Sequence, residues 1–405
     1  MPIYLDHAAT TPLRREALEA MLPHLTEDFG NPSSTHFFGR RARAALDDAH
    51  ERVGRVIGAQ AREIVFTSGG TEANNLAIKG AAWAGKARGH RILTTAIEHH
   101  SVGHTMRYLE KFGFEVVELP VDRYGQVDPD EVEAALTPKT ILVSVMMANN
   151  EAGTIQPIAE IAERVRHHRG VLFHTDAVQA AAHLPIDVRF LGVDLLSMAA
   201  HKFEGPKGVG ALFIRHGTNV LAQEQGGAQE RYRRAGTENV AGAIGMAAAL
   251  ELTVADMEAV EKRLKSLRSR LAKKLRGIEG VEETGHPTER LPSIVSLLVR
   301  ELDSASLVMA LDLAGVACST GSACVSGSTE PSHVLLAMGY PEDETRGALR
   351  LSLGRTTTEA VIDEAGQLVA GAIETQREAA ARLAEANAAL AEAQARQAAP
   401  EAKAG

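Results

Sequence analysis

The sequence predicts an α/β protein, with a large domain built on a mainly parallel sheet and a smaller α+β domain after it. Three observations predict this. Short apolar, β-rich runs alternate with helical patterns through the first two thirds of the chain. Beyond about residue 240 the alternation gives way to one long helical stretch and then short strands. The 405 residues suffice for two domains, and a hydrophobic share of 45% can fill a sizeable core.

Taken in order, residues 63–67 read as a strand and 73–84 as the helix after it. Residues 91–96 are a strand and 102–112 a helix. Residues 115–119, 140–147, 170–174, 193–198 and 209–214 are further strands, and 157–168 is a helix with Pro157 in its first turn, where a missing N–H costs nothing. Apolar strands separated by helices imply a sheet covered on both faces. After the long helix, 294–299 and 349–353 are short strands with a helix between them. The expected division is a large domain over 14–255 and a small domain formed by 1–13 and 256–376, the first segment crossing back to it. Residues 377–405 form an Ala/Glu-rich tail, helical or disordered, whose apolar content is almost all alanine.

Composition excludes some classes. With 52 acidic against 43 basic side chains the net charge is −9, which speaks against direct nucleic-acid binding. The start of the chain has neither a basic region nor a long apolar stretch, so no secretory signal and no membrane span are expected, and the cytoplasm is the expected location. Two cysteines, Cys318 and Cys324, do not make a disulfide-rich scaffold.

Lys202 and Asp176 carry the chemistry. Each stands at the end of an apolar strand run, Lys202 in Ala199-Ala200-His201-Lys202-Phe203 and Asp176 in His174-Thr175-Asp176-Ala177. A lysine and an aspartate at neighbouring strand ends are the two charges that pyridoxal phosphate needs. The amine joins the cofactor aldehyde covalently, and the carboxylate pairs with the ring nitrogen and keeps the ring an electron sink.

Other positions each admit two readings. Thr67-Ser68-Gly69-Gly70-Thr71-Glu72 follows a strand and opens a helix, so it is either an anion cradle or an ordinary capped turn. It lacks the Gly-Lys-Ser/Thr ending of a nucleotide P-loop. His99 is either a ring that stacks on a planar cofactor and moves protons or a solvated residue at a helix start. His100 and His104 have zinc-ligand spacing but no evident third ligand. Asn149, Asn150 and Gln179 are either polar contacts for a ring hydroxyl or a substrate carboxylate, or turn residues. Arg350 alternates with apolar residues on a short strand, and either captures a carboxylate or sits on an edge. Cys324 lies in a run of Gly, Ser and Thr, which offers little packing and suits a reactive thiol, whereas Cys318 ends a short apolar run and suits a structural role. A disulfide between the two stays open.

With these motifs the chain resembles a cysteine desulfurase of the class V, fold-type I aminotransferase superfamily, in the branch that serves iron–sulfur cluster and nitrogenase assembly. The motifs are Tyr4-Leu5-Asp6-His7-Ala8-Ala9-Thr10-Thr11-Pro12, Gly30-Asn31-Pro32-Ser33-Ser34, Thr67-Ser68-Gly69-Gly70-Thr71-Glu72, Asn149-Asn150-Glu151, His201-Lys202 with Gly205-Pro206-Lys207-Gly208, and Ser322-Ala323-Cys324. They run in this order from residue 4 to about 358.

The resemblance implies a seven-stranded sheet and the conversion of L-cysteine to L-alanine, with a persulfide formed on Cys324. It implies pyridoxal phosphate on Lys202, Asp176 at its ring nitrogen, Gln179 and Asn150 around the ring hydroxyl, and His99 over the ring. Gly70, Thr71 and His201 would hold the phosphate, with Thr237 reaching the phosphate of the other subunit of a homodimer. Asn150 and Arg350 would meet the substrate, Arg350 at its carboxylate. Sulfur would pass to an acceptor such as an iron–sulfur scaffold or to tRNA thiolation. No resident metal is implied, although Cys324 could ligate a 2Fe–2S cluster shared with such a scaffold. Selenocysteine lyase or another class V aminotransferase is the alternative. One departure stands out: the family has a hydroxyl residue three before the lysine, and here that position is Ala199.

Overall fold

The structure is a computed structural model, and it describes residues 2–321 and 331–398, with side chains as far as residue 394. Cys324 and its neighbours at 322–330 lie outside the described residues.

The strands, in chain order, are β1 (Ile3–Tyr4), β2 (Ile64–Thr67), β3 (Arg91–Thr95), β4 (Glu115–Leu119), β5 (Thr140–Ser144), β6 (Leu172–Asp176), β7 (Leu195–Ala199), β8 (Gly210–Ile214), β9 (Val281–Glu283), β10 (Ile294–Val299), β11 (Val316–Ala317), β12 (Ser319–Thr320) and β13 (Ala348–Ser352). Seven of them form one sheet in the order β2-β8-β7-β6-β5-β3-β4. Only β8 runs against the rest, pairing antiparallel with both β7 and β2. The side chains alternate as a two-faced sheet requires. Ile64 and Phe66, Leu196 and Met198, and Ala211 and Phe213 enter one core, while Val65, Leu195, Leu212 and Ile214 enter the other. The second core is closed by the helices Gly70–Gly85 and His100–Glu110, and the first by Phe37–Val56, Ile158–Arg166 and the start of Val240–Leu275.

A separate sheet, β12-β13-β10-β9, is antiparallel throughout. Its strands send Val295, Leu297, Val299, Leu349 and Leu351 into a third core, which Leu264, Leu267, Leu271 and Leu275 of the long helix complete. Val240–Leu275 therefore belongs to two cores, its first half to the large sheet and its second half to the small one. By length and composition this helix could cross a bilayer, which corrects the expectation that no segment reaches that length. Its apolar window is 67% buried inside the protein, as a core helix is. The last helix, Glu359–Ala398, carries the tail in helical form through Ala398, and its side chains from 378 to 394 are exposed.

The first segment links the two sheets. β1 pairs in parallel with β11, and Asp6 bridges to Ser352 at the end of β13. Ile3 and Leu5 are buried in the small-sheet core, whereas Ala8 is buried in the large one. Residues 8–11 thereby cross the chain segment that carries Lys202.

Between β2 and the helix Gly70–Gly85 the backbone turns at Gly69, with φ 155° and ψ −177°, a region open essentially to glycine alone. Gly69→Ala is expected to destabilise the protein by about 1–3 kcal/mol although a Cβ there would meet no neighbour, because the cost is conformational. Equilibrium urea unfolding measures it, and an unchanged midpoint would remove this account of the turn.

Candidate active site

Most parallel strands of the large sheet deliver residues to one cavity at their carboxyl ends, where open α/β sheets bind ligands. β2 leads to Gly70 and Thr71, β3 to His99, β5 to Met146 and Asn150, β6 ends on Asp176, and β7 ends on Ala199 just before Lys202. The cavity, about 740 Å³ including its open mouth, is of the size that holds a cofactor. Gln179 and His201 also line it.

Asp176 is 5% exposed. Its Oδ1 accepts from the Val178 N–H at 2.9 Å and its Oδ2 from the Asn74 amide at 2.6 Å. Burial raises its proton affinity above the usual carboxylate range, and the Val178 N–H, the Asn74 amide and the Lys202 charge work against that rise. Lys202 Nζ donates to the carbonyls of Ala8 at 2.5 Å and Ala9 at 2.9 Å, which aim the amine from the crossing N-terminal segment. Gln179 Nε2 donates to the same Ala8 carbonyl at 2.8 Å.

Gly70 opens the helix Gly70–Gly85, and no side chain caps it among the described residues. The amides of its first turn are thus available to an anion, and the helix dipole favours one there. A Cβ on Gly70 would stand 2.7 Å from Val178 Cγ2, so only glycine lets the backbone lie this close to the cavity wall. Glu72, on the same turn, is held by the Ser68 N–H and Arg234. The His201 ring faces Thr10 Oγ1 at 3.2 Å through Nδ1. Burial first, then Lys202 and Lys207, lowers its pKa to about 4, so it is a neutral ring at pH 7.

His99 caps the helix His100–Glu110, its Nδ1 accepting from the Ser101 N–H. Its pKa is lowered to about 4 by burial first, then by Lys202 and the neighbouring His100, His333 and His104. Asn149 and Asn150 separate their two readings. Asn149 Oδ1 accepts from the N–H groups of Glu151 and Ala152, each at 2.8 Å, and its Nδ2 donates to Ile97, so it is a turn residue. Asn150 lines the cavity.

Arg350 is 1% exposed on β13 and stands just behind Asn150, donating to the Asn150 carbonyl at 2.8 Å and to Asp6 Oδ1 at 3.0 Å. It does not line the cavity itself. Thr237 is exposed, before the helix Val240–Leu275, and is also not part of this wall. Among the described residues no cluster of three or more His, Cys, Asp or Glu side chains is placed to hold a metal, although the His100 and His104 rings are 5.1 Å apart.

Sequence reasoning passed over Asn74, Ser101 and Glu98. Asn74 and Ser101 line the cavity. Glu98 lies buried beneath it, holds the Met146 N–H at 2.7 Å and has its pKa pushed up to about 8 by burial. The available signal was a polar side chain inside the helical stripe Ala73, Asn74, Ala77, Ile78 and Ala81, which packs as core.

An anion cradle, a buried carboxylate, an amine and a neutral imidazole around one cavity fit a planar phosphorylated aldehyde with a basic ring nitrogen. The Aminotransferase class-V model matches residues 3–364. The chain belongs to the class-V aminotransferase family. Its relatives in that family include the cysteine desulfurase IscS of Methanosarcina thermophila, 50% identical over 375 residues that make up 93% of each chain. The cysteine desulfurase IscS of Dictyoglomus turgidum is 51% identical over 357 residues, 88% of this chain and 90% of that one. Among solved structures, a NifS-like protein superimposes with a TM-score of 0.87 at 37% identity, covering 93% of this chain and 99% of that one. A NifS-like protein from Rickettsia africae gives 0.83 at 30% identity, covering 92% of this chain and 100% of that one. Class-V aminotransferases of this kind are fold-type I, pyridoxal phosphate-dependent enzymes, and the similarity carries cysteine desulfurase function to this chain.

Proposed function

We propose that this chain releases the sulfur of L-cysteine as a persulfide on Cys324, leaves L-alanine, and hands the sulfur to an acceptor protein. The observation that carries the reading is Lys202 and Asp176 facing one cavity beside the open first turn of the helix at Gly70. Bound pyridoxal phosphate supplies an electron sink for charge developing at the substrate Cα.

The chain's own residues do the rest. Gly70, Thr71 and His201 would hold the phosphate, Asp176 would keep a proton on the ring nitrogen, and Gln179 and Asn150 would bond around the ring hydroxyl. Lys202 would serve as the base at the substrate Cα. His99, a neutral ring at pH 7, gives or takes a proton near the leaving sulfur. Asn150 also meets the substrate. Arg350 binds the substrate carboxylate, which requires that carboxylate to compete with Asp6. Thr237 completes the phosphate site of a second copy, so the working unit is a homodimer. We place the enzyme in the cytoplasm, with iron–sulfur scaffolds or tRNA thiolation as the destination of the sulfur. The two sheet cores support a large domain over 14–255 and a small one made of 1–13 and 256–376, joined within the long helix.

The deciding measurement is alanine formed from L-cysteine with no keto acid present. Alanine at one equivalent per sulfur released is expected, whereas dependence on a keto acid, or turnover of selenocysteine alone, would overturn the reading.

Ala199 gives a further test. Its methyl lines the cavity next to Gly70, where the resemblance places a hydroxyl. Ala199→Ser adds a donor worth about 0.5–1.5 kcal/mol, so pyridoxal phosphate retention is expected to tighten roughly two- to tenfold. Equilibrium dialysis of the cofactor measures this, and unchanged retention would show that the phosphate is already fully satisfied.

A further inference from the structure

Two side chains outside the expected site residues join Asp176 to His99. Asn74 is 1% exposed, on the cavity side of its helix. Its Nδ2 donates to Asp176 Oδ2 at 2.6 Å and to Ser101 Oγ at 2.9 Å. An amide nitrogen carries two hydrogens and accepts none, so both bonds run outward from Asn74. The Asp176 carboxylate fixes which way the amide faces, and Asn74 Oδ1 is left buried without a partner among the described residues. That burial would be costly for a group whose only role was packing.

Ser101 Oγ, already accepting from Asn74, lies 2.8 Å from His99 Nδ1. The Ser101 backbone N–H points at the same nitrogen at 3.1 Å, and a backbone N–H can only donate. Nδ1 is therefore the acceptor. The Ser101 hydroxyl hydrogen also goes to it, and the neutral ring carries its proton on Nε2.

We propose that Asn74 and Ser101 are positioning residues, a hydrogen-bond relay that ties the Asp176 carboxyl group to the Nε2–H form of His99. All three hydrogens point away from Asn74 toward the two groups that act, so the relay sets both with one amide. Asp176 stays an acceptor for the ring nitrogen of a bound cofactor, and His99 faces the reacting atoms as a proton donor. Burial first, then Lys202, His100, His333 and His104, disfavours a charged His99, whereas at Asp176 burial favours the neutral acid and the Val178 N–H, the Asn74 amide and Lys202 oppose it.

The proposal rests on the desulfurase reading for its use, but the relay can be tested apart from turnover. Full-length protein with ¹⁵N-labelled histidine is compared with and without pyridoxal phosphate, the His99 resonances being identified by their loss in His99→Gln. The expected wild-type result is a widely split nitrogen pair with Nδ1 unprotonated. Ser101→Ala leaves Nδ1 with the backbone N–H alone, and Asn74→Ala frees the Ser101 hydroxyl to turn away from Nδ1, so the pair should draw partly together in each, and Ser101→Thr should restore the split. Asn74 does not touch His99, so a role confined to packing would leave the pair unmoved. An unmoved pair in a folded Asn74→Ala, or in Ser101→Ala if the first variant does not fold, would overturn the relay. Alanine formation by the same samples reports separately on the desulfurase reading.

Discussion

Lys202→Ala is expected to lose the visible absorption of protein-bound cofactor and the release of sulfur from L-cysteine together. The two losses share one cause. Nζ is held by the Ala8 and Ala9 carbonyls at the cavity that Asp176 also lines, and among the described residues that cavity offers no second lysine. On the proposed reading, the covalent hold on the cofactor and the base that removes the Cα proton are one amine. Loss of the base alone is worth about 10²–10⁴-fold in rate, and loss of the link compounds it. The phosphate cradle at Gly70 and the Asp176 carboxylate remain, so added pyridoxal phosphate should still bind, weakly and reversibly. Absorption spectra before and after dialysis, with alanine assayed in parallel, measure both. A variant that keeps the visible band after dialysis would mean that another amine holds the cofactor, and the site would have to be moved.

Much of this site was legible because strand ends have a sequence signature. Apolar runs stop where the chain leaves the sheet, and Asp176 and Lys202 stand at two such stops. The details that escaped have physical causes. Residues 140–147 read as one strand, but the ladder ends at Ser144. The apolar run outlasts it because Val145 to Ala148 stay buried, Met146 and Ala148 against the cavity and Val145 and Met147 in the core, with the Met147 N–H bonded to the Asp176 carbonyl. The strand read at 170–174 lies instead at Leu172–Asp176, because Thr175 and Asp176 are polar yet buried in the ladder. β8 runs back along β7 after the connection that holds Lys202 and Gly205-Pro206-Lys207-Gly208, and periodicity alone carries no direction. Asn74 and Ser101 escaped for a related reason. Each is one polar residue on a helix whose neighbours read as core or surface, and only the fold brings the two helices together at Asp176.

The other large effect belongs to Cys324. Persulfide formation needs a thiolate, and the chain has two cysteines. Cys318 is poorly suited to it. It packs against the small-sheet core between β11 and β12, and burial first, then Asp6 and Asp312, pushes its thiol up to about 12. At pH 7 it is a thiol, with Asp6 already committed to Arg350. The nucleophile is therefore expected at 324, in a stretch of sequence rich in Gly, Ser and Thr. Cys324→Ala should keep the visible band of the bound cofactor and lose sulfur release by on the order of 10³-fold or more, as removal of a covalent nucleophile does. Cys318→Ala should keep turnover and cost about 1 kcal/mol of stability. Iodoacetamide at pH 8 should label the wild type and Cys318→Ala alike, and spare Cys324→Ala. Full turnover in Cys324→Ala, or rapid labelling of its remaining cysteine, would place the sulfur-accepting thiol at 318. The burial argument for that position would then fail with it.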